Sequence, residues 1–163
     1  MENFYTKVIN PWVLIFVLTL SCFNINQVSS GLVTAKIYAR DLALAESTLN
    51  EAEKTMLRMG LKRSHNVRYS RASWYGKYFH GRQTATQELF NRHLITAAHK
   101  TLPLGTFLLV TNLNNQEQIV VRVNDRGPYV RGREIDLSEG AAKLLGSHDG
   151  GVITVRYEVL VEA

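Results

Sequence analysis

The chain has a single cysteine, Cys22, in 163 residues, so no internal disulfide can staple a domain and burial of apolar surface must hold it together. Three prolines, 11 glycines and the lack of any repeat exclude a collagen-like or low-complexity chain. With 45% apolar and 20% charged residues the composition is that of a globular protein, long enough for one compact domain and accessory segments. No apolar run reaches the roughly 20 residues of a spanning helix, which excludes a polytopic membrane protein. Charge of one sign is also scarce. Nineteen basic against 14 acidic side chains leave +5, of which 31–70 carries 7 − 4 = +3 and 71–163 carries 11 − 9 = +2. No nucleic-acid recognition motif accompanies this excess, so it is read as a mild attraction to an anionic cell envelope, with no nucleic-acid partner. His80, His93 and His99 lack metal-ligand spacing, and no metal or other cofactor is expected.

What the N-terminus does contain is Lys7, an apolar run from Trp12 to Leu20, and small residues at Val28, Ser29 and Ser30. This is the pattern of a secretory signal over residues 1–30, with cleavage before Gly31 and export to the periplasm or cell envelope. Two alternatives stay open: an uncleaved N-terminal membrane anchor, and acylation of Cys22, although Thr19-Leu20-Ser21 lacks the usual Leu-small-small order of a lipoprotein. From Val33 to Met59 the chain is rich in Ala, Leu, Glu and Lys and stops at Gly60, which predicts a helical spacer over 31–60. Lys62, Arg63, His65, Arg68 and Arg71 give 61–70 the look of a solvated basic linker.

Beyond Arg71 short β-rich runs alternate with turn residues: Ala72–Tyr75, Leu94–Ala98, Phe107–Thr111, Gln118–Asn124 and Val152–Val161. They predict a mainly β domain over 71–163. Asn112–Gln116 is expected to connect a hairpin, and Ser138 to cap a short helix over Glu139–Leu145 ended by Gly146. Asp125 shares strand parity with Ile119, Val121 and Val123, so a regular strand would aim it at the apolar face, where desolvation favours a general acid. Arg126 and Gly127-Pro128 beside it equally fit a structural turn aspartate. Asp136, just before the short helix, is read as a capping or turn residue.

The blocks Ala72-Ser-Trp-Tyr-Gly76, Phe79-His-Gly-Arg82, Thr84-Ala85, Glu88, Leu94-Ile-Thr-Ala-Ala-His-Lys-Thr-Leu-Pro-Leu-Gly-Thr106, Val110-Thr-Asn-Leu113, Val121-Arg-Val-Asn-Asp-Arg-Gly-Pro128 and Arg133-Glu-Ile-Asp-Leu-Ser138 occur in order. Together they resemble the RlpA (rare lipoprotein A) family of septal lytic transglycosylases. The resemblance implies a six-stranded double-psi β-barrel, related to expansins and here preceded by the N-terminal helical segment. It also implies an enzyme that cleaves the MurNAc-GlcNAc bond of peptidoglycan without water, on glycan strands stripped of stem peptides, leaving 1,6-anhydroMurNAc ends.

The positions matching the family's catalytic pair are Asp125, read as acid/base, and Glu88, read as its electrostatic partner, with the roles exchangeable. Trp74, Tyr75, His99, Arg126, Tyr129 and Arg133 are the candidate substrate-binding residues, although the aromatic ones equally fit a core. The alternative function is a non-catalytic, expansin-like module that binds and loosens peptidoglycan. One departure stands out: where the family has Gly before the Glu, this chain has Gln87, which a turn of positive φ would strain. Many relatives continue into a glycan-binding SPOR domain, whereas this sequence ends with the barrel, which is expected to fold alone as a monomer.

Overall fold

The computed structural model describes residues 39–163 apart from 41, 45 and 76; the expected signal segment 1–30, Cys22 and the start of the expected helical spacer lie outside the described residues. Six strands close into a barrel: β1 (Leu61–Trp74), β2 (Thr96–His99), β3 (Phe107–Asn112), β4 (Gln118–Asp125), β5 (Ile135–Leu137) and β6 (Ile153–Glu162). Their order around the barrel is β1-β5-β2-β4-β3-β6. The pairs β1/β5 and β2/β4 are parallel and the other four antiparallel. Closure leaves no sheet edge open, which suits a fold without disulfides.

The alternation along β6, which would put Ile153, Val155, Tyr157, Val159 and Val161 on one inner face, holds for Ile153, Val155 and Tyr157, with Thr154 exposed and Arg156 half-buried, but fails beyond Tyr157, where Glu158 and Leu160 are buried and Val161 is 40% exposed. From β3 and β4, Leu108, Val110, Val121 and Val123 enter the same core, each fully buried. The β3–β4 connection is the expected hairpin, with Gln116 at φ +64. Strand β5 was not among the β-rich runs, because three residues are too few to show a period. Its Ile135 and Leu137 are nevertheless core residues.

The basic tract is not a linker. Residues 61–70 belong to β1 and pair antiparallel with β6, from Leu61↔Glu162 to Ser70↔Val155, with an irregularity between Arg63 and Val67. Of the 14 residues of β1 only Leu61, Ala72 and Ser73 are buried, so the strand carries no apolar alternation and its charges resemble those of a solvated loop. The helical reading also needs correction. Described residues between 39 and 48 are helical, but the run breaks at 49–50, and a new helix, α1 (Glu51–Arg58), starts from Asn50. Asn50 closes a capping box: its Oδ1 accepts from Glu53 N at 2.9 Å while its own N–H donates to Glu53 Oε2 at 3.1 Å. Gly60, at φ +63, ends it.

The second helix, α2 (Glu139–Leu144), is capped by Ser138, whose Oγ accepts from Ala141 N at 3.2 Å and donates to Leu94 O at 2.5 Å. Gly140 has to be glycine, since a Cβ there would stand 2.4 Å from the His93 carbonyl oxygen. That close approach ties the long β1–β2 connection to the barrel and fixes the segment carrying Glu88.

Candidate active site

Asp125 does not face the core as strand parity predicts. The parallel register runs Thr96↔Arg122 and Ala97↔Val123, then skips Asn124 to Ala98↔Asp125. This β-bulge sets two β4 residues against one of β2 and reverses the parity beyond it. Ala97 and Val123 stay in the core, and Asp125 emerges beside Ala98 on the outer face. There Ala85 N–H and Arg126 N–H donate to its Oδ1 at 3.0 and 2.8 Å, while Oδ2 takes no hydrogen bond from the described residues. An anchored, half-buried carboxylate with one oxygen directed away from its anchors is suited to proton transfer.

On the other side of Ala98 lies Asp136. The register pairs Ala98 with Asp136 of β5, and Asp136 with Ser73 of β1. Ser73, Asp136, Ala98 and Asp125 therefore form one row across four strands on the outer face. The Ser73 hydroxyl donates to Asp136 Oδ1. The helix cap is Ser138, so the capping role read for Asp136 is not the one it has; within β5 it alternates outward between Ile135 and Leu137, a signal too short to see in sequence.

Glu88 comes from a small hairpin that folds over this face. Gly81 N–H bonds to Phe90 O, Phe90 N–H to Arg82 O, and Thr84 N–H to Glu88 O at 2.9 Å. Its tip is fastened to β4 where Thr86 N–H meets Asn124 O at 3.2 Å. Gln87 sits at φ +67, the left-handed conformation anticipated from the missing glycine, at a cost of order 1 kcal/mol. Arg122 Nη2 donates to both Glu88 oxygens, at 2.8 and 3.0 Å, and Asn124 Nδ2 to Oε1 at 2.6 Å. The Asn124 amide and the Arg122 guanidinium hold the Glu88 carboxyl below the usual carboxylate range, against a partial desolvation that acts the other way. Glu88 is thus a fixed negative charge.

Tyr75, just after β1, packs against this hairpin through Phe90. Its ring packs on Phe90 at 4.5 Å between centroids, and its hydroxyl is buried without a hydrogen bond from the described residues. Burial first, then the negative charges of Asp125, Asp136 and Glu88, push the phenol well above its ordinary range.

The other candidates separate into outer and inner residues. Tyr129, after the cis Gly127-Pro128 bond, is 82% exposed and available for stacking. Trp74 is turned to the core side, stacked on His148 at 4.6 Å, with Nε1 donating to His148 O at 3.1 Å. His99 shares the parity of Ala97 and is 3% exposed; its ring stands edge-on to Tyr157 at 6.0 Å. Thr101 N–H and Leu102 N–H donate to His99 Nδ1 at 3.2 and 3.1 Å, which places the neutral ring's proton on Nε2. Burial lowers the imidazole below its usual pKa. Arg126 Nη1 donates to His99 O and Leu102 O at 3.1 and 2.7 Å, so this guanidinium braces the turn beside Asp125. Arg133 is half-buried, its Nε without a hydrogen-bond partner among the described residues. Among the described residues no group of three or more His, Cys, Asp or Glu is placed to hold a metal ion.

The profile of the lytic transglycolase family matches residues 68–157. Among curated proteins, the probable endolytic peptidoglycan transglycosylase RlpA of Synechocystis is 56% identical over 89 residues, 55% of this chain and 28% of that protein. The endolytic peptidoglycan transglycosylase RlpA of Campylobacter jejuni is 56% identical over 89 residues, 55% of this chain and 32% of that one. The probable RlpA of Aquifex aeolicus is 52% identical over 101 residues, 62% of this chain and 45% of that one. The chain thus spans less than half the length of each of these relatives. Among solved structures, an apo expansin of Clavibacter michiganensis superposes with a TM-score of 0.48 at 23% identity, over 60% of this chain and 52% of that one.

Proposed function

Because the chain belongs to the RlpA family of lytic transglycolases, its double-psi barrel matching the family over residues 68–157, we propose that it is an endolytic peptidoglycan lytic transglycosylase. It cleaves MurNAc-GlcNAc bonds, in glycan strands free of stem peptides, to leave 1,6-anhydroMurNAc ends. The observation that carries this reading is the bulge at Asn124, which turns Asp125 out of the core and into the company of Glu88. Asp125 gives its proton to the leaving GlcNAc oxygen. Positive charge then develops at the MurNAc anomeric carbon, and the ionised Glu88, clamped by Arg122 and Asn124, stabilises it without having to reorient. The C6 hydroxyl of the same sugar closes on that carbon in place of water. Tyr129 supplies an exposed ring for stacking against a neighbouring sugar. His99 and Arg126 are positioning groups that hold the turn next to Asp125.

Such a substrate lies outside the cytoplasmic membrane, which agrees with reading 1–30 as an export signal and leaves anchoring through Cys22 as a matter for direct measurement. The test is mass spectrometry of muropeptides released from purified glycan by the protein. Anhydro ends are the expected product. Pelleting with sacculi without any cleavage would replace this reading by a binding and loosening module.

A further inference from the structure

We propose that Asp136 is the second proton-transfer carboxylate of this site, the group that takes the proton from the MurNAc C6 hydroxyl while Asp125 protonates the leaving oxygen. The proposal rests on the transglycosylase reading above and divides between two carboxylates the acid and base work that the family resemblance gives to Asp125 alone. In balance, the glycosidic C1–O bond breaks and its electrons stay on the oxygen, which receives the Asp125 proton. The C6–O–C1 bond forms, and the C6 hydroxyl proton passes to the Asp136 carboxylate. No water, oxidant or cofactor is consumed, and exchange with solvent returns both carboxyls to their starting forms.

Placement comes first. Asp136 and Asp125 flank Ala98 in one row, each one strand away from it, so their Cα atoms stand about 10 Å apart, two strand spacings. Both project from the same face of the sheet. In a β-linked MurNAc, C6 lies on the face of the ring from which the leaving group departs, so acid and base must approach from one side; a pair on opposite sides of the sugar serves hydrolysis instead, by inversion or through a covalent glycosyl intermediate. Both are half-buried.

Chemistry excludes the neighbouring carboxylate. Glu88 receives three hydrogen bonds from Arg122 and Asn124 across its two oxygens, and accepting a proton would break part of that clamp. Asp136 receives a hydrogen bond from Ser73, also on Oδ1, and its Oδ2 takes none from the described residues. Ser73, 5% exposed, fixes the carboxylate's orientation.

The experiment compares the full chain with Asp136→Asn and Ser73→Ala on peptide-free glycan strands. It follows strand binding by pelleting, folding by thermal melting, and the ratio of anhydro to reducing MurNAc ends by mass spectrometry. For Asp136→Asn, binding within about threefold of the parent is expected, with cleavage about 100-fold slower or more. Its residual product should shift toward reducing ends, as water intercepts a sugar cation whose C6 hydroxyl has lost its base. For Ser73→Ala, which frees the carboxylate's orientation without removing it, cleavage should slow with the same shift toward reducing ends, while binding stays within about threefold of the parent. Cleavage by Asp136→Asn at the parental rate with anhydro ends only would overturn the proposal. Should that variant fail to fold, cleavage by Ser73→Ala at the parental rate with anhydro ends only would overturn it equally. A parent chain that makes no anhydro ends overturns the transglycosylase reading itself, an outcome distinct from an active parent indifferent to Asp136.

Discussion

At the scale of single residues, three side chains carry tests that need no further structure. Asp125→Asn keeps the volume and both backbone hydrogen bonds to Oδ1 but has no proton to give. We expect cleavage to fall by about 100-fold or more while the melting temperature stays near that of the parent, as read by product assay and calorimetry. Gln87→Gly relieves a φ of +67. It should raise stability by about 1 kcal/mol, a shift of several degrees for a domain of this size, without reducing activity. A well-folded variant with lower activity would show that the Gln87 side chain makes a needed contact.

His99 is the third. Its folded pKa is lowered by burial, so the unfolded chain binds a proton more readily. The stability it contributes is complete above the unfolded value of about 6.5 and drains away as pH falls from there through the folded pKa. Melting from pH 8 to pH 5 should show this loss in the parent, whereas His99→Gln should start less stable at pH 8 and lose less over the same range.

At the scale of elements, β1 shows how a strand can escape sequence reading. Of its nine register pairs with β6, seven involve residues 61–70. A fragment beginning at residue 71 would keep two of them, contrary to our expectation from composition that such a fragment folds alone. We therefore expect 61–163 to melt cooperatively and 71–163 to be unfolded or aggregated, as circular dichroism would show; a cooperative melt of the shorter fragment would mean that β1 is needed only at Ala72–Trp74. The bulge in β4 is the other element-level device. One skipped residue moves a carboxylate from the inside of a barrel to its surface, and the resulting row across β1, β5, β2 and β4 exists only because these strands pair out of chain order.

At the scale of the molecule, the proposed catalytic groups gather on one outer face of a closed barrel, while the inner face is filled mainly by aliphatic side chains and Tyr157. An outer face admits a polymer that a barrel interior would not. Glycan chains stripped of stem peptides should reach that face more easily than peptide-bearing ones. We expect the chain to bind amidase-treated sacculi better than untreated sacculi in a pelleting assay; equal binding would remove the preference for naked glycan. The formal charge of +5 adds a weak, salt-sensitive attraction to an anionic envelope, so binding should decline modestly as ionic strength rises past 0.1 M, where the screening length is about 10 Å.

Much was legible before any coordinates. The alternation of β6 from Ile153 to Tyr157, the Ser138 cap with its Gly146 stop, and the strain at Gln87 follow from local rules: side-chain period, hydrogen bonding within one turn, and the steric cost of positive φ. The ordered blocks from Ala72 to Ser138 also pointed to the barrel and to Glu88 and Asp125. Tertiary structure decided the rest. Residues 61–70 are a strand because a distant partner, β6, satisfies their backbone, whatever their charges indicate. Asp125 faces outward because β2 sets the register that makes Asn124 a bulge, and parity counted along β4 alone has no access to that. Asp136 joins the site for the same reason: its neighbours Ser73 and Ala98 are 63 and 38 residues away in the chain, and only strand order makes them adjacent.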